Sequence, residues 1–130
     1  MITMEIPFPP SINHYFSYQH GRPILSKNAR TFRQHVRRLV IANGFKPMLG
    51  LLAVRFDLHP PDERRRDCDN SQKSILDALQ YSGVFWDDSQ VVWLLTVVAS
   101  PQSLGSVLVH IDEFKNFKNL LEQDCVEPWL

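Results

Sequence analysis

Residues 2–8, ITMEIPF, put Ile2, Met4, Ile6 and Phe8 on one side of an extended chain and Thr3 and Glu5 on the other, the two-residue period of a half-buried strand. Pro9 and Pro10 end it, since proline has no amide proton to give to a ladder. The next segment, SINHYFSYQHGRPIL, is aromatic and polar without a helical period, which predicts an extended loop or a loose hairpin around Gly21. Beyond it, Ala29, Phe32, Val36, Leu39 and Val40 recur on one helical face. Ser26 or Asn28 can cap this helix, which runs to about Asn43 with Gly44 as its stop.

LLAVRFDLH, residues 51–59, alternates again, with Leu52, Val54, Phe56 and Leu58 inward and Arg55, Asp57 and His59 outward. That predicts a strand with one polar face. A helix over about 71–82 follows, capped by Asp69 or Asn70 and stopped at Gly83. VVWLLTVVA is apolar on both faces and predicts a central strand. SVLVHI, residues 106–111, predicts the last strand, and FKNFKNLL places Phe114, Phe117, Leu120 and Leu121 on one face of a C-terminal helix. The order β-α-β-α-β-β predicts an α+β fold, two-layered and α/β-like, with helices packed on a mixed sheet. At 130 residues, without repeat, low-complexity tract or linker, the expectation is one domain over 1–130, of which 113–130 is a helical extension.

Charge changes this picture more than composition does. The formal net charge is zero, yet residues 1–66 hold eleven Lys/Arg against four Asp/Glu and residues 67–130 hold three against ten. Such a division suits a basic surface for a polyanion beside an acidic cluster that needs a cation, the alternative being that the halves intermix and cancel. Arg30, Arg33 and Arg37 form a stripe beside the apolar face of the first helix, either a solvated face or a track for a nucleic-acid backbone. No apolar stretch approaches the length of a membrane span and no leader-like segment opens the chain, so a soluble cytoplasmic protein is expected. Cys68 and Cys125 lack metal-motif spacing and predict free, buried thiols.

The switch of charge falls inside RRRDCDNSQKSILDAL, residues 64–79. If that segment is extended, Asp67 and Asp69 point the same way and Cys68 turns toward the core. Two carboxylates so placed suit a hard cation such as Mg²⁺ or Mn²⁺. A calcium loop also begins D-x-D, but here Gln72 stands at its sixth position and Ala78 at its twelfth, where glycine and glutamate are required. Asp87 and Asp88 follow the helix, and Asp88 completes the site if the chain doubles back along it. Should Phe85 and Trp86 anchor that return, the strand from Val91 runs antiparallel to the 51–59 strand; the other route sends the Arg-rich loop along the sheet before Asp67. Lys73 stands in the first helical turn, where a cation opposes the helix dipole. It either reaches toward whatever Asp67 and Asp69 hold or pairs with Asp77 at i,i+4. Carboxylates that bind metal, a lysine and three arginines fit phosphodiester hydrolysis.

The run D67-C-D-N-S-Q-K73, preceded by basic residues and followed by ILDAL and WDDSQVV, resembles the RusA family of Holliday junction resolvases, small endonucleases common in prophages and bacteria. IPFPPSINHYF resembles that family's N-terminal strand and Pro-Pro-Ser-x-Asn loop, and the similarity covers about residues 4–112. The resemblance implies a Mg²⁺-dependent homodimer that binds four-way junction DNA and resolves it with paired symmetric nicks in recombination and repair. It implies Asp67, Asp69 and Asp88 as metal ligands with Asp87 beside them, and Lys73 with Asp69 as catalytic residues. The loop around Asn13 to Tyr18, with Asn13, His14 and Tyr15, and the cations Lys27, Arg30, Arg64, Arg65 and Arg66 are the DNA-contact candidates, the alternative for His14 and Tyr15 being ordinary loop packing. Cys68, where an aliphatic residue is usual, and Glu63, within the basic run, are departures from the family's pattern. The competing readings are a metal-dependent phosphohydrolase for nucleotides or other branched DNA, and a non-catalytic junction-binding module.

Overall fold

The computed structural model describes residues 1–122. The alternation at the N-terminus becomes β1 (Ile2–Ile6), with Met4 and Ile6 buried. The aromatic segment folds as a hairpin, β2 (Phe16–Gln19) and β3 (Arg22–Leu25), whose two-residue turn, His20 and Gly21, has both φ angles positive. A turn of that kind matches the twist of the strands it joins, and glycine adopts it without steric cost. Helix α1 (Lys27–Asn43) starts where Ser26 Oγ accepts the Ala29 N–H and stops at Gly44, which is left-handed. Its buried residues are Ala29, Phe32, Val36 and Val40, as the periodicity predicts, and Leu39 is half-buried.

The remaining elements are β4 (Leu52–His59), α2 (Gln72–Tyr81), β5 (Val91–Val98), β6 (Ser106–Glu113) and the short α3 (Lys118–Leu121). The main sheet has the order β1-β6-β4-β5, mixed as expected, and β2–β3 forms a sheet of its own. Helices α1 and α2 pack on one face, where Phe32, Val36, Val40, Ile75 and Leu79 meet Leu52, Val54, Phe56, Val107, Val109 and Ile111. This is the α+β architecture the element order predicts, with a hairpin added before the first helix.

Three expectations need correcting. VVWLLTVVA forms the edge strand β5 instead of a central one, bonded among the described residues to β4 alone. Its pairing with β4 is parallel, from Leu52↔Val91 to Leu58↔Val98. The physical reason lies in the connection: Met48 N–H donates to Val84 O at 2.8 Å and Phe85 is fully buried beside Met48, so the chain is pinned at the entrance of β4 and does not return along α2. Trp86 is exposed. Strand, helix and strand thereby make the usual parallel crossover.

The polar face of β4 is also not open to solvent. Arg55 and Asp57 are each 2% exposed. Arg55 Nε donates to Asp57 Oδ1 at 2.9 Å, the His110 ring nitrogen Nε2 lies 3.0 Å from Asp57 Oδ2, and Arg55 also donates to the backbone carbonyl of Leu120 at 2.8 Å. Helix α3 therefore covers the far side of the sheet, with Leu120 buried and Phe117 against Trp93 at 5.8 Å between ring centroids. Buried charges persist only when paired and hydrogen-bonded, and these are. The expected helical extension is described only to Glu122; the rest of it, including Cys125, lies outside the described residues.

Candidate active site and nucleic-acid interface

The chain leaves β4 at His59 and stays at that end of the sheet through the Arg-rich loop. Asp62 gathers two of the three arginines, accepting from Arg66 at 2.7 Å and from the Arg64 backbone N–H at 2.9 Å and side chain at 3.2 Å. Those bonds, Arg66 first, hold the Asp62 carboxyl well below the usual carboxylate range. Arg66 also lies over the Phe8 ring at 5.6 Å, and Arg65 is exposed. Gly105 closes the base of this region: a Cβ there would stand 2.8 Å from Phe8 Cβ, and its φ of +70° suits only glycine well.

The DCDN segment is a turn and not an extended strand, because Asn70 N–H bonds back to Asp67 O at 3.2 Å and Gln72 N–H to Asp69 O at 3.3 Å. Asp67, Cys68 and Asp69 are all exposed, so Cys68 does not face the core. The N-cap of α2 is Ser71 instead of Asp69 or Asn70. Asn70 serves another purpose. Its side-chain Oδ1 and its backbone O both lie 3.2 Å from the Ile12 N–H, fastening the Pro-Pro-Ser loop to the acidic turn.

On α2, Lys73 Nζ lies 3.3 Å from Asp77 Oδ2, so the i,i+4 pair exists. The sequence gives no hint of what shares it. Tyr15 is 4% exposed and its hydroxyl donates to the same Asp77 oxygen, while the Lys73 ammonium sits 5.6 Å from the Tyr15 ring centre. Burial, and then the bond to the Asp77 carboxylate, push the Tyr15 hydroxyl well above the ordinary phenol range. Tyr15 is thus a strut beneath the loop, while Asn13 and His14 are exposed.

A cleft of about 660 Å³ runs beside the turn, lined by Phe8, Pro10, His14, Asn28, His35, Arg64, Arg65, Arg66, Asp67 and Asn70. Lys27 and Arg30 are exposed at the start of α1, whose residue Asn28 lines the cleft. Arg33 and Arg37 turn away to Tyr81, at 4.2 Å and 5.4 Å from its ring centre.

Asp87 and Asp88 are elsewhere. Asp87 caps a 3₁₀ turn, Asp88–Gln90, and its bonds from Ser89 hold its carboxyl below the ordinary range. Asp88 is exposed, with its backbone N–H bonded to Gln80 Oε1 at 3.1 Å. Gln80 is near the C-terminal end of α2, eight residues beyond Gln72, or about 12 Å along the helix axis. Among the described residues no three His, Cys, Asp or Glu side chains come close enough to hold a metal. The expected return of Asp88 to Asp67 and Asp69 does not occur within one chain.

The arginine loop runs directly into the acidic turn, the turn leads into α2, and Lys73 stands in the first turn of that helix; these are group types that phosphodiester chemistry uses. The sequence model of the family described as Endodeoxyribonuclease RusA matches residues 7–112. The crossover junction endodeoxyribonuclease rusA of Enterobacteria phage 82 is 39% identical over 114 residues, covering 87% of this chain and 95% of the phage protein. The crossover junction endodeoxyribonucleases RusA of Escherichia coli strain K12 and Shigella sonnei strain Ss046 are each 40% identical over 117 residues, or 88% of this chain and 96% of theirs. The chain belongs to the RusA family. No helix among the described residues is long and apolar enough to cross a membrane.

Proposed function

We propose that the protein is a structure-selective endodeoxyribonuclease that resolves four-way DNA junctions by paired nicks, acting in the cytoplasm as a homodimer with Mg²⁺ or Mn²⁺. The observation that supports this reading is the match to the family over residues 7–112, together with the placement of the Arg64–Arg66 loop and Asp67 on one cleft at the turn that leads into the helix of Lys73. Asp67 and Asp69 offer exposed oxygen ligands on one turn, and Mg²⁺ is commonly held by one or two carboxylates together with water and substrate phosphate. The chemistry such a cation supplies when bound is Lewis-acid polarisation of the phosphodiester.

The chain's own residues do the rest. Lys73 is half exposed, so its ammonium can leave Asp77 for the departing oxygen and offset the charge that develops there. Arg65 is exposed and can meet a phosphate, while Asp62 keeps Arg64 and Arg66 oriented along the cleft. Phosphate contacts of this kind fix register and carry most of the affinity.

The position of Asp88 gives the homodimer a chemical purpose. A carboxylate about 12 Å down α2 joins the acidic turn only if a second copy brings it. Strand β5 offers the means, being an apolar edge that begins beside Asp88 and ends near the cleft. Antiparallel pairing of β5 with β5 of a second copy lays the start of each strand against the end of the other. Each Asp88 then approaches the other copy's Asp67 and Asp69, and two sites related by a twofold suit two nicks related by a twofold.

The test is incubation with a synthetic four-way junction, a flap and a linear duplex in Mg²⁺, alongside Asp69→Asn and Lys73→Ala. Symmetric nicks confined to the junction and lost in both variants are expected. Cleavage of flaps or nucleotides in preference to the junction supports the phosphohydrolase reading, and junction binding without cleavage in any divalent metal supports the binding module.

A further inference from the structure

Among the described residues, the apolar face of the β2–β3 hairpin stands open to solvent, with Phe16 meeting only the edge of the Tyr15 ring, 4.9 Å between centroids. Cross-strand pairs Phe16↔Leu25 and Tyr18↔Pro23 share one side of the ribbon, because directly opposed residues point the same way. All four residues of β2 are exposed, Phe16 by 41% and Tyr18 by 74%. A two-stranded ribbon alone is marginally stable in water, so aromatic rings held out on one need an occupant.

The root of the hairpin indicates which. Tyr15, the residue before β2, is bonded to Asp77 beside Lys73, and Ser26 N–H donates to Tyr15 O at 2.9 Å. Ile12 is bonded to Asn70, next to Asp69. The root of the arm is therefore registered to the acidic turn and the lysine, so DNA held at the proposed site passes the base of the arm. Arg22 is exposed on the hairpin itself, Lys27 and Arg30 are exposed just after it at the start of α1, and residues 6–56 contain no Asp or Glu. That charge favours a polyanion and disfavours the same face of a second copy.

We infer that the hairpin is a stacking arm, on which Phe16 and Tyr18 receive nucleobases unstacked at the branch point of the DNA. Aromatic side chains stack on any base, and apolar wedges open base steps at a cost repaid by contact. The arm would thus select a branch over a continuous duplex without reading sequence. This inference rests on the junction reading above.

The test uses a four-way junction with 2-aminopurine at the crossover and the same label within a linear duplex, with the Asp69→Asn protein to prevent cleavage. Fluorescence is expected to rise on the junction and not on the duplex. Adding Tyr18→Ala or Phe16→Ala should abolish the rise and weaken junction binding by about tenfold, whereas Tyr18→Phe, which keeps the ring, should preserve both. Far-UV circular dichroism checks folding, and an altered spectrum in one alanine variant leaves the other to decide. A rise of equal size in the folded alanine variants overturns the arm while leaving the junction reading intact. So does a fall in their sedimentation mass, which would make the face a contact between copies. Failure of the Asp69→Asn protein and the wild type to prefer the junction at all overturns both.

Discussion

Tyr15 donates its hydroxyl to the Asp77 carboxylate oxygen that also lies 3.3 Å from the Lys73 ammonium. Residues 62 positions apart in sequence are thereby joined at the proposed catalytic lysine. Neither partner is replaceable without consequence for the other. Asp77 keeps a buried phenol satisfied and, through the same atom, limits where Lys73 can stand.

Asp77→Ala is expected to destabilise the protein by about 1–3 kcal/mol, the cost of leaving a buried hydroxyl unpaired. Urea unfolding measures it. Single-turnover cleavage should fall by about tenfold or more, because a small misplacement of Lys73 is amplified in the rate. Tyr15→Phe should be milder in both assays, since no polar group is stranded in the core. Undiminished cleavage by folded Asp77→Ala would limit the residue to a structural role.

The network behind the sheet predicts an acid-sensitive component of stability. Burial pushes the Asp57 carboxyl up, and the bonds from His110 and Arg55 together outweigh it, so the net displacement is downward. A depressed carboxyl contributes stability that is present above its unfolded pKa of about 3.9 and is lost as pH falls through the folded value. Asp57→Asn should cost about 3 kcal/mol at pH 7, as when one partner of a buried pair is removed. It should also flatten the decline in stability below about pH 4. Urea midpoints for both proteins at pH 7, 4 and 3 check this; equal acid slopes would contradict it.

Strand β5 carries the dimer prediction. Val92 is 47% exposed on this edge, and a charged residue on an edge strand discourages pairing with another chain. Val92→Lys is expected to shift the sedimentation mass toward the monomer and to abolish junction nicking, with the unfolding midpoint of the monomer little changed. A fully dimeric variant would move the contact to another surface.

Much of this was legible where local rules decide. Ser26, Gly44 and the apolar period from Ala29 to Val40 define α1 with no tertiary information, and the sequence D67-C-D-N-S-Q-K73 marks the acidic pair and the lysine, although not the turn that carries the aspartates. What escaped depends on distant partners. Arg55 and Asp57 look solvent-facing because His110 and the Leu120 carbonyl that bury them lie in later elements. An apolar run on both faces does not separate a central strand from an edge, and β5 is the edge. The place of Asp88 follows from the pinning of Val84 and Phe85 at Met48, a contact no periodicity encodes. Tyr15 reads equally as a DNA contact or as loop packing in the sequence, since only the fold reveals Asp77 beneath it.

The most direct test of the composite site is subunit mixing. Asp69→Asn and Asp88→Asn proteins, each inactive alone, are unfolded together, refolded and assayed on a four-way junction in Mg²⁺. If Asp88 acts across the twofold, each mixed dimer holds one intact site and one doubly altered site. Single nicks should return at about a quarter of the wild-type number of sites, the share random pairing provides. If the three aspartates act within one chain, every site in every mixed dimer lacks a ligand and the mixture stays inactive, which would contradict the account.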